Sequence, residues 1–386
     1  MLMNYLKVGL LFGLAWLLNV LAPFFLPRIA ELGGVESAIA ATLWCLSLFL
    51  VFGWVCSKAA EGTIFPNFTL QLLAGIVLHD ALAPLSVQLT LAVVVCTLLA
   101  AIILKSGGDE IDRNEFFKIA YPTVMIAVVG YLITFLVTYM LLIWLGLDGK
   151  TAALLAAILG STDPAALIPT LKQLLIRPEF RRVSDMAVAE SALNDAVGAI
   201  FTSAVAALIL SGAKFEGLSG LTSGLFSADN LLLLGRQFFF GTLAGLIGWL
   251  CMYIFERYKR VHYESGAAEP MYDFAIALGG PLVTFMFAQL IHGNGFLAAF
   301  IAGLLGNFNR GSKALHSLIH SMETKIESIA KPTIFMMVGP FVALPDLVNT
   351  AGLGLAVALL FMLVARPVAV MVSLLPTRIS FKEKLF

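Results

Sequence analysis

Long apolar stretches alternate with short polar segments along the whole chain. A bilayer-spanning helix needs about 20 mostly apolar residues, and the sequence contains about twelve such stretches. The predicted spans are 8–27, 38–57, 66–83, 85–104, 119–145, 151–172, 185–210, 231–255, 271–291, 294–308, 330–346 and 352–375. The stretches are continuous, which is typical of membrane helices and not of the alternating strands of a β-barrel. The pattern predicts an all-α membrane protein of about twelve transmembrane helices, without a soluble domain.

The composition supports this class and excludes others. Hydrophobic residues make up 60% of the chain and charged residues 12%, whereas soluble domains average roughly 45–50% and about 25%. Basic and acidic residues number 24 each, so the chain lacks the basic excess of nucleic-acid-binding proteins. The four cysteines lie in apolar stretches without metal-binding spacing, and we interpret them as packing residues. A soluble globule, a disordered chain and a disulfide-rich secreted protein are therefore excluded.

The positive charges between the predicted spans are distributed unevenly. With the N-terminus placed inside, most of the 24 Lys and Arg residues fall in loops on the cytoplasmic side, as the positive-inside rule requires. We therefore predict a multi-pass protein of the plasma membrane with both termini in the cytoplasm. In segment 309–330, apolar residues recur at helical spacing among charged ones, which predicts an amphipathic helix on the cytoplasmic surface.

Most charged residues lie in loops or at the ends of predicted spans, and four do not: Asp163, Glu190, Asp195 and Arg366. Charges at this depth are costly, so they are candidates for function. Pro164 removes a backbone donor and disfavours helical geometry at Asp163. We expect the helix to be interrupted near Thr162 and Asp163, as at the ion sites of many secondary transporters. The alternative is a simple proline kink in which Asp163 is held by freed backbone donors.

The span at 185–210 carries the densest polar cluster. Glu190 and Asn194 are four residues apart, as are Ser191 and Asp195, so one helix face offers two carboxylates, a hydroxyl and an amide. Hard oxygen ligands of this kind suit Na⁺, K⁺ or protons and not a soft metal. A carboxylate that holds either a proton or a cation is sufficient for exchange. The alternative is a buried polar cluster that only holds helices together.

Arg366 lies late in the last predicted span. A guanidinium at this depth requires a carboxylate partner, and we predict that this partner is Glu190. The pair would keep Glu190 ionised and structural, which leaves Asp195 to exchange its proton. The alternative is that the Arg366 side chain extends to the cytoplasmic surface.

Two motifs carry a family resemblance. The sequence Gly-Ser-Thr-Asp-Pro-Ala at 160–165, followed by Glu-Ser-Ala-Leu-Asn-Asp at 190–195, resembles the cation/proton antiporter superfamily, in particular its sodium/proton exchanger branch. Segments 65–78, 295–303 and 365–367 are similar to further motifs of that family. The resemblance covers nearly the whole chain after about residue 36.

The resemblance implies an inverted-repeat antiporter fold with broken helices at the ion site. It also implies a homodimer that exchanges Na⁺ or K⁺ for protons and contributes to pH homeostasis, without enzymatic activity or a cofactor. Family members have a moving core domain, here expected at about 85–210 and 330–375. Their dimerisation helices are expected at about 36–83 and 231–308. Transport is thought to proceed by an elevator-like shift of the core.

The resemblance also implies roles for individual residues. Asp195 would bind the proton and the cation alternately, and Asn194 stands where electrogenic relatives carry a second Asp, which implies electroneutral one-for-one exchange. Thr162 and Asp163 would lie beside the ion where broken helices cross. Glu190 and Ser191 would complete or brace the site, and Arg366 would pair with Glu190. The expected cation ligands are Asp195, Ser191, Glu190 and Thr162.

The sequence departs from the family pattern at both ends. The first predicted helix is additional to the common bacterial pattern. Segment 381–386 resembles a stretch that in the family leads into another broken helix and a final span, so we expect either a truncated chain or a reduced member. Two other functions stay open: a non-transporting paralogue or sensor, and a two-Asp intramembrane protease using Asp163 and Asp195. Against the protease, Glu190, Ser191 and Asn194 add ligands that it does not need.

Overall fold

The computed structural model describes residues 2–87, 89–109, 113–162, 181–212, 217–264, 270–307, 313–342 and 344–385. Within these ranges the regular structure is helical, without a strand. Among the described residues, seven helices are long and apolar enough to cross a membrane: Tyr5–Glu31, Gly34–Ala60, Ala92–Asp109, Phe117–Trp144, Arg182–Leu210, Ala228–Phe255 and Pro345–Ser373. Four shorter apolar helices are Asn67–Val77, Gly149–Leu159, Leu278–Leu290 and Gly295–Gly306. The prediction of an all-α multi-pass membrane protein is confirmed.

The α-helices are numbered in chain order. They are α1 (Leu2–Glu31), α2 (Gly34–Ala60), α3 (Asn67–Val77), α4 (Ala83–Val87), α5 (Leu89–Asp109), α6 (Arg113–Val124), α7 (Tyr131–Trp144), α8 (Gly149–Leu159), α9 (Arg181–Leu210), α10 (Gly217–Leu225), α11 (Ala228–Glu264), α12 (Pro270–Leu290), α13 (Gly295–Asn307), α14 (Lys313–Met337), α15 (Leu344–Leu360), α16 (Arg366–Ser373) and α17 (Phe381–Leu385). Two π-helical segments, Met125–Gly130 and Phe361–Ala365, join α6 to α7 and α15 to α16.

Two predicted boundaries differ from the structure. The predicted span 66–83 is interrupted, because α3 ends at Val77 and a turn precedes α4. The predicted surface helix 309–330 and the span 330–346 are joined in one helix, α14, which continues through Pro332. The Pro332 ring lies against Gly53, whose missing side chain leaves room for it.

The chain divides into two compact units. One consists of Met1–Ile103 and Ser321–Ala351, and the other of Leu104–His320 and Gly352–Phe386. The prediction that assigned residues 85–210 and 330–375 to a moving core, and 36–83 and 231–308 to dimerisation, stays a prediction.

The first unit has an apolar core of α1, α2 and α3 side chains, with Phe49, Phe52 and Leu70 among the most buried. Asn19 of α1 stabilises the turn that follows α3. Its Oδ1 accepts the backbone N–H groups of Asp80 and Ala81 at 2.7 and 3.0 Å. Backbones also approach closely here, because a Cβ added to Gly75 would lie 2.5 Å from the Met336 carbonyl oxygen.

The second unit contains every described residue of the predicted ion site. One of its cores is built from α7, α8 and α9, around Tyr131, Phe135, Phe201 and neighbouring alanines. The unit also contains a buried ion pair outside that site. The Lys105 ammonium of α5 contacts the Asp109 carboxylate one helical turn along, and both side chains are 9% exposed.

Candidate functional site

The site forms where α8 ends. Asp148 caps the start of this helix, its Oδ1 accepting the N–H groups of Lys150 and Thr151 at 3.0 and 3.1 Å. The last residue of the helix is Leu159, and the N–H of Ser161 turns to the Ile158 carbonyl at 3.4 Å. This helix therefore ends close to the interruption that the sequence predicts near Thr162, and residues 163–172 of the predicted span lie outside the described residues. Asp163, the other residue of that prediction, lies outside the described residues.

An interrupted helix leaves carbonyl oxygens without their usual amide donors. Side chains from two other helices supply replacements. Asn194 Nδ2 donates to the Gly160 oxygen at 3.2 Å, and Ser191 Oγ to the Thr162 oxygen at 2.5 Å. Tyr131 Oη donates to the Ala157 oxygen at 2.8 Å. The broken end of α8 is thus held by specific hydrogen bonds to α7 and α9.

The Asp195 carboxylate lies directly beside this broken end. Ser161 Oγ donates to Asp195 Oδ1 at 2.7 Å, and both residues are half-buried. Ser161 belongs to the motif at 160–165, but the sequence alone did not lead us to assign it to the ion site. The available signal was a second hydroxyl next to Thr162 in the segment predicted to be non-helical.

Glu190 has a different environment from Asp195, although both lie on α9. Arg366 Nη2 lies 3.2 Å from Glu190 Oε1, and Asn194 Nδ2 donates to the same oxygen at 3.1 Å. The Glu190 side chain is 7% exposed and that of Arg366 20% exposed. One carboxylate therefore faces a guanidinium, while the other accepts a bond from a neutral hydroxyl.

Two polar atoms at this place have no hydrogen-bond partner among the residues that the structure describes. They are Asn194 Oδ1 and Arg366 Nη1, both buried. Buried polar groups are normally paired, so an unpaired acceptor beside two carboxylates requires an explanation. Asn194 Oδ1 is available to a bound cation.

Two glycines allow the end of α8 to lie close enough to α7 and α9 for these hydrogen bonds. A Cβ added to Gly198 of α9 would lie 3.0 Å from the Ser161 Cβ, and one added to Gly160 would lie 2.6 Å from the Tyr131 ring. A larger residue at Gly198 would push Ser161 away from α9, and one at Gly160 would push the end of α8 away from the Tyr131 ring of α7. The structure thus brings together the predicted residues Thr162, Glu190, Ser191, Asn194, Asp195 and Arg366, and adds Ser161.

Comparisons with known proteins find cation/proton antiporters. The family described as "Sodium/hydrogen exchanger, transmembrane" matches residues 45–386. The K(+)/H(+) antiporter NhaP2 of Shewanella oneidensis is 32% identical over 74% of this chain and 46% of its own length. The Na(+)/H(+) antiporter 1 of Methanocaldococcus jannaschii is 28% identical over 88% of this chain and 78% of its own length. The chain spans about half the length of the K(+)/H(+) antiporters NhaP2 that it matches.

A solved structure shares the fold. The sodium proton antiporter MjNhaP1 from Methanocaldococcus jannaschii, determined at pH 8, superposes with a TM-score of 0.72 at 25% identity. The similarity covers 90% of this chain and 81% of that one.

Proposed function

Because this chain belongs to the transmembrane sodium/hydrogen exchanger family, we propose that it exchanges Na⁺ or K⁺ for protons across a membrane, as a transporter and not an enzyme. The observation that carries the proposal is the pair of contrasting carboxylates on α9. Arg366 faces Glu190, whereas the half-buried Asp195 accepts a hydroxyl bond from Ser161 at the end of a broken helix. The related proteins named above as K(+)/H(+) and Na(+)/H(+) antiporters support the same reaction.

The exchange requires one group that releases a proton before it binds a cation. In the proposed cycle, Asp195 opens to the cytoplasm, loses its proton and binds the cation. The site then opens to the other side, where protons displace the cation. The Ser161 hydroxyl fits this cycle, because it can donate to the deprotonated Asp195 carboxylate and can turn its oxygen toward a bound cation.

The cation ligands are proposed from the oxygens that lie where α9 meets the end of α8. They are the Asp195 carboxylate, the hydroxyls of Ser161, Thr162 and Ser191, and Asn194 Oδ1. Glu190 is less suited to bind directly than the sequence reasoning assumed, since Arg366 and Asn194 already hold its Oε1. Glu190 and Arg366 are proposed to brace the site.

The stoichiometry follows from counting titratable charges. Asp195 binds either one proton or one monovalent cation, and Asn194 beside it cannot ionise. In each cycle one positive charge would then cross the membrane in each direction. We propose electroneutral one-for-one exchange.

The wider setting is proposed on the positive-inside pattern and on the family. The protein is placed in the plasma membrane with both termini in the cytoplasm. It acts as a homodimer whose core domain moves against a dimerisation domain in an elevator-like shift. Its role is pH homeostasis.

Proton flux out of proteoliposomes tests the reaction. Vesicles loaded at acidic pH are challenged with Na⁺, K⁺ and then choline, and internal pH is followed with a dye. We expect alkalinisation with Na⁺ or K⁺ only, absent in Asp195→Asn and retained in the matched variant Asp148→Asn, because asparagine also caps a helix. Cation-dependent flux that persists in Asp195→Asn would refute the assignment, and absence of flux from folded wild-type protein would favour a non-transporting paralogue.

The charge balance has its own test. Membrane potentials imposed by gradients of the permeant anion thiocyanate, in vesicles without K⁺ because K⁺ is itself a candidate substrate, should leave the rate of Na⁺-driven proton flux unchanged. A rate that follows the imposed potential would contradict one-for-one exchange.

A further inference from the structure

Tyr131 is a buried residue beside the ion site, and it takes no direct part in the proposed exchange. It is the first residue of α7, follows a π-helical segment and is fully buried. Its hydroxyl donates to the Ala157 carbonyl of α8 at 2.8 Å. In a continuous helix that carbonyl would accept the N–H of Ser161, four residues along. Here the Ser161 N–H bonds to Ile158 instead, so the tyrosine hydroxyl replaces the donor that the interruption removes.

The Tyr131 ring also occupies the space beside the break. A Cβ added to Gly160 would lie 2.6 Å from its Cε2 atom, and one added to Gly198 of α9 would lie 3.5 Å from the same atom. The ring packs edge-on against Phe201, with centroids 5.5 Å apart. Because these contacts come from three sides, the hydroxyl has little freedom to move away from Ala157.

The backbone before Tyr131 is held in place as well. The π-helical segment Met125–Gly130 ends directly at it, and Thr134 Oγ1 donates to the Gly130 carbonyl at 2.8 Å. A Cβ added to Gly130 would lie 3.3 Å from the Ser373 hydroxyl of α16. π-helical segments of this kind often occur at functional sites, because they rotate the following residues relative to the rest of a helix.

These contacts have a consequence for the ion site. Ser161 follows Gly160 immediately, and its hydroxyl reaches Asp195 at 2.7 Å only while the chain stays non-helical at this point. If Ala157 lost its donor, the buried carbonyl would be costly to leave unpaired. The nearest replacement is the Ser161 N–H, and using it would extend α8 and turn the Ser161 side chain away.

We propose that Tyr131 is a positioning residue that fixes where α8 stops and thereby holds Ser161 and Thr162 against Asp195. This inference rests on the proposed cation exchange for its functional meaning. It assigns Tyr131 no contact with the cation. Its effect on transport passes through the Ala157 carbonyl and the end of α8.

The test compares two tyrosine-to-phenylalanine variants in the full chain. Tyr131→Phe removes the hydroxyl and keeps the ring. Tyr139→Phe removes another buried hydroxyl from the same helix, eight residues further along and about 12 Å away. We expect Tyr131→Phe to raise the cation KM roughly fivefold, the worth of one neutral hydrogen bond, with the maximal rate per folded protein changed less. Tyr139→Phe should keep the wild-type KM.

A loss that is only structural would lower the amount of active protein and leave KM unchanged. Equal KM values in Tyr131→Phe and Tyr139→Phe would therefore overturn the proposal. A fall in maximal rate alone, without a change in KM, would also overturn it.

Hydrogen exchange separates this inference from the proposed function. It is measured on the purified protein and needs no transport. We expect the amides of residues 158–162 to exchange at a different rate in Tyr131→Phe, and at the wild-type rate in Tyr139→Phe. If wild-type vesicles show no flux but the exchange rates differ in this way, the exchange reaction fails and the positioning of α8 by Tyr131 stands. If the rates do not differ, the positioning role is wrong whatever the flux.

Discussion

Replacing Arg366 by methionine is expected to lower the free energy of unfolding by about 3 kcal/mol, because it leaves the Glu190 carboxylate buried without its counter-ion. Arg366 Nη2 lies 3.2 Å from Glu190 Oε1, and the Glu190 side chain is only 7% exposed. Methionine keeps the apolar part of the arginine side chain. The loss therefore reports on the charge and not on packing.

The magnitude follows from how far each group is buried. Removing one partner of a fully buried ion pair costs about 3–5 kcal/mol. One fifth of the Arg366 side chain reaches the surface, and Asn194 Nδ2 still donates to Glu190 Oε1 at 3.1 Å after the substitution. Both facts reduce the cost, so the lower end of the range applies.

A double-mutant cycle isolates the pair. Glu190→Gln keeps the shape of the side chain and removes its charge, and the double variant Arg366→Met/Glu190→Gln removes both charges. We expect the double variant to be more stable than Arg366→Met alone, with a coupling energy of about 2 kcal/mol. The measurement is the unfolding midpoint of the purified protein in detergent, followed through its five tryptophans. At about 2 °C per kcal/mol, Arg366→Met should lose roughly 6 °C.

The exposed Arg236 of α11 offers a matched control. Arg236→Met should change stability by less than about 0.5 kcal/mol. The reasoning is refuted if Arg366→Met and the double variant unfold at the same midpoint, since Glu190 would then not depend on the guanidinium. It is also refuted if Arg366→Met is no worse than Arg236→Met.

Two further predictions concern other parts of the chain. Gly75→Ala should prevent recovery of monodisperse folded protein in size-exclusion chromatography, because its Cβ would lie 2.5 Å from a backbone oxygen. Gly352→Ala, with no atom within 4 Å of the added Cβ, should instead be neutral or stabilising by up to about 1 kcal/mol. Asp148→Ala should lower the unfolding midpoint at neutral pH by removing the cap of α8. Hydrogen bonds from Thr151, the side-chain bond first, hold the pKa of Asp148 below its ordinary 3.8. The contribution is therefore complete above that value, and the difference from wild type should close as pH falls through the lowered pKa; a difference that persists in acid would refute the ionic cap.

The sequence predicted the parts of the site that a single helix determines. Glu190, Ser191, Asn194 and Asp195 share a face because residues four apart on a helix are neighbours, whatever the rest of the fold does. Pro164 likewise located the interruption to within a few residues. Both inferences need only local geometry.

The sequence could not predict contacts set by backbone angles in non-helical segments or by distant residues. Ser161 is 34 positions from Asp195, and the direction of its hydroxyl depends on the backbone angles that follow Gly160. The Tyr131 hydroxyl donates to the Ala157 carbonyl, 26 positions further along the chain. The residues around Tyr131 in the sequence are mostly apolar and do not indicate a polar partner. The turn after α3 depends in the same way on Asn19, which comes from a helix 61 positions earlier.

The ion pair of Lys105 and Asp109 bears on how this protein enters the membrane during synthesis. Its two charges lie four residues apart in the span Ala92–Asp109, so they can pair as soon as that helix forms, before any of the helices that follow it in the chain is made. A charge presented to lipid alone would oppose insertion by about 2.5–3.5 kcal/mol at the centre of a span and by less near its end, where Lys105 and Asp109 lie. A locally neutralised pair lets the segment partition into the bilayer with most of that penalty removed. The burial of both groups can then be completed later, when the rest of the second unit has been synthesised.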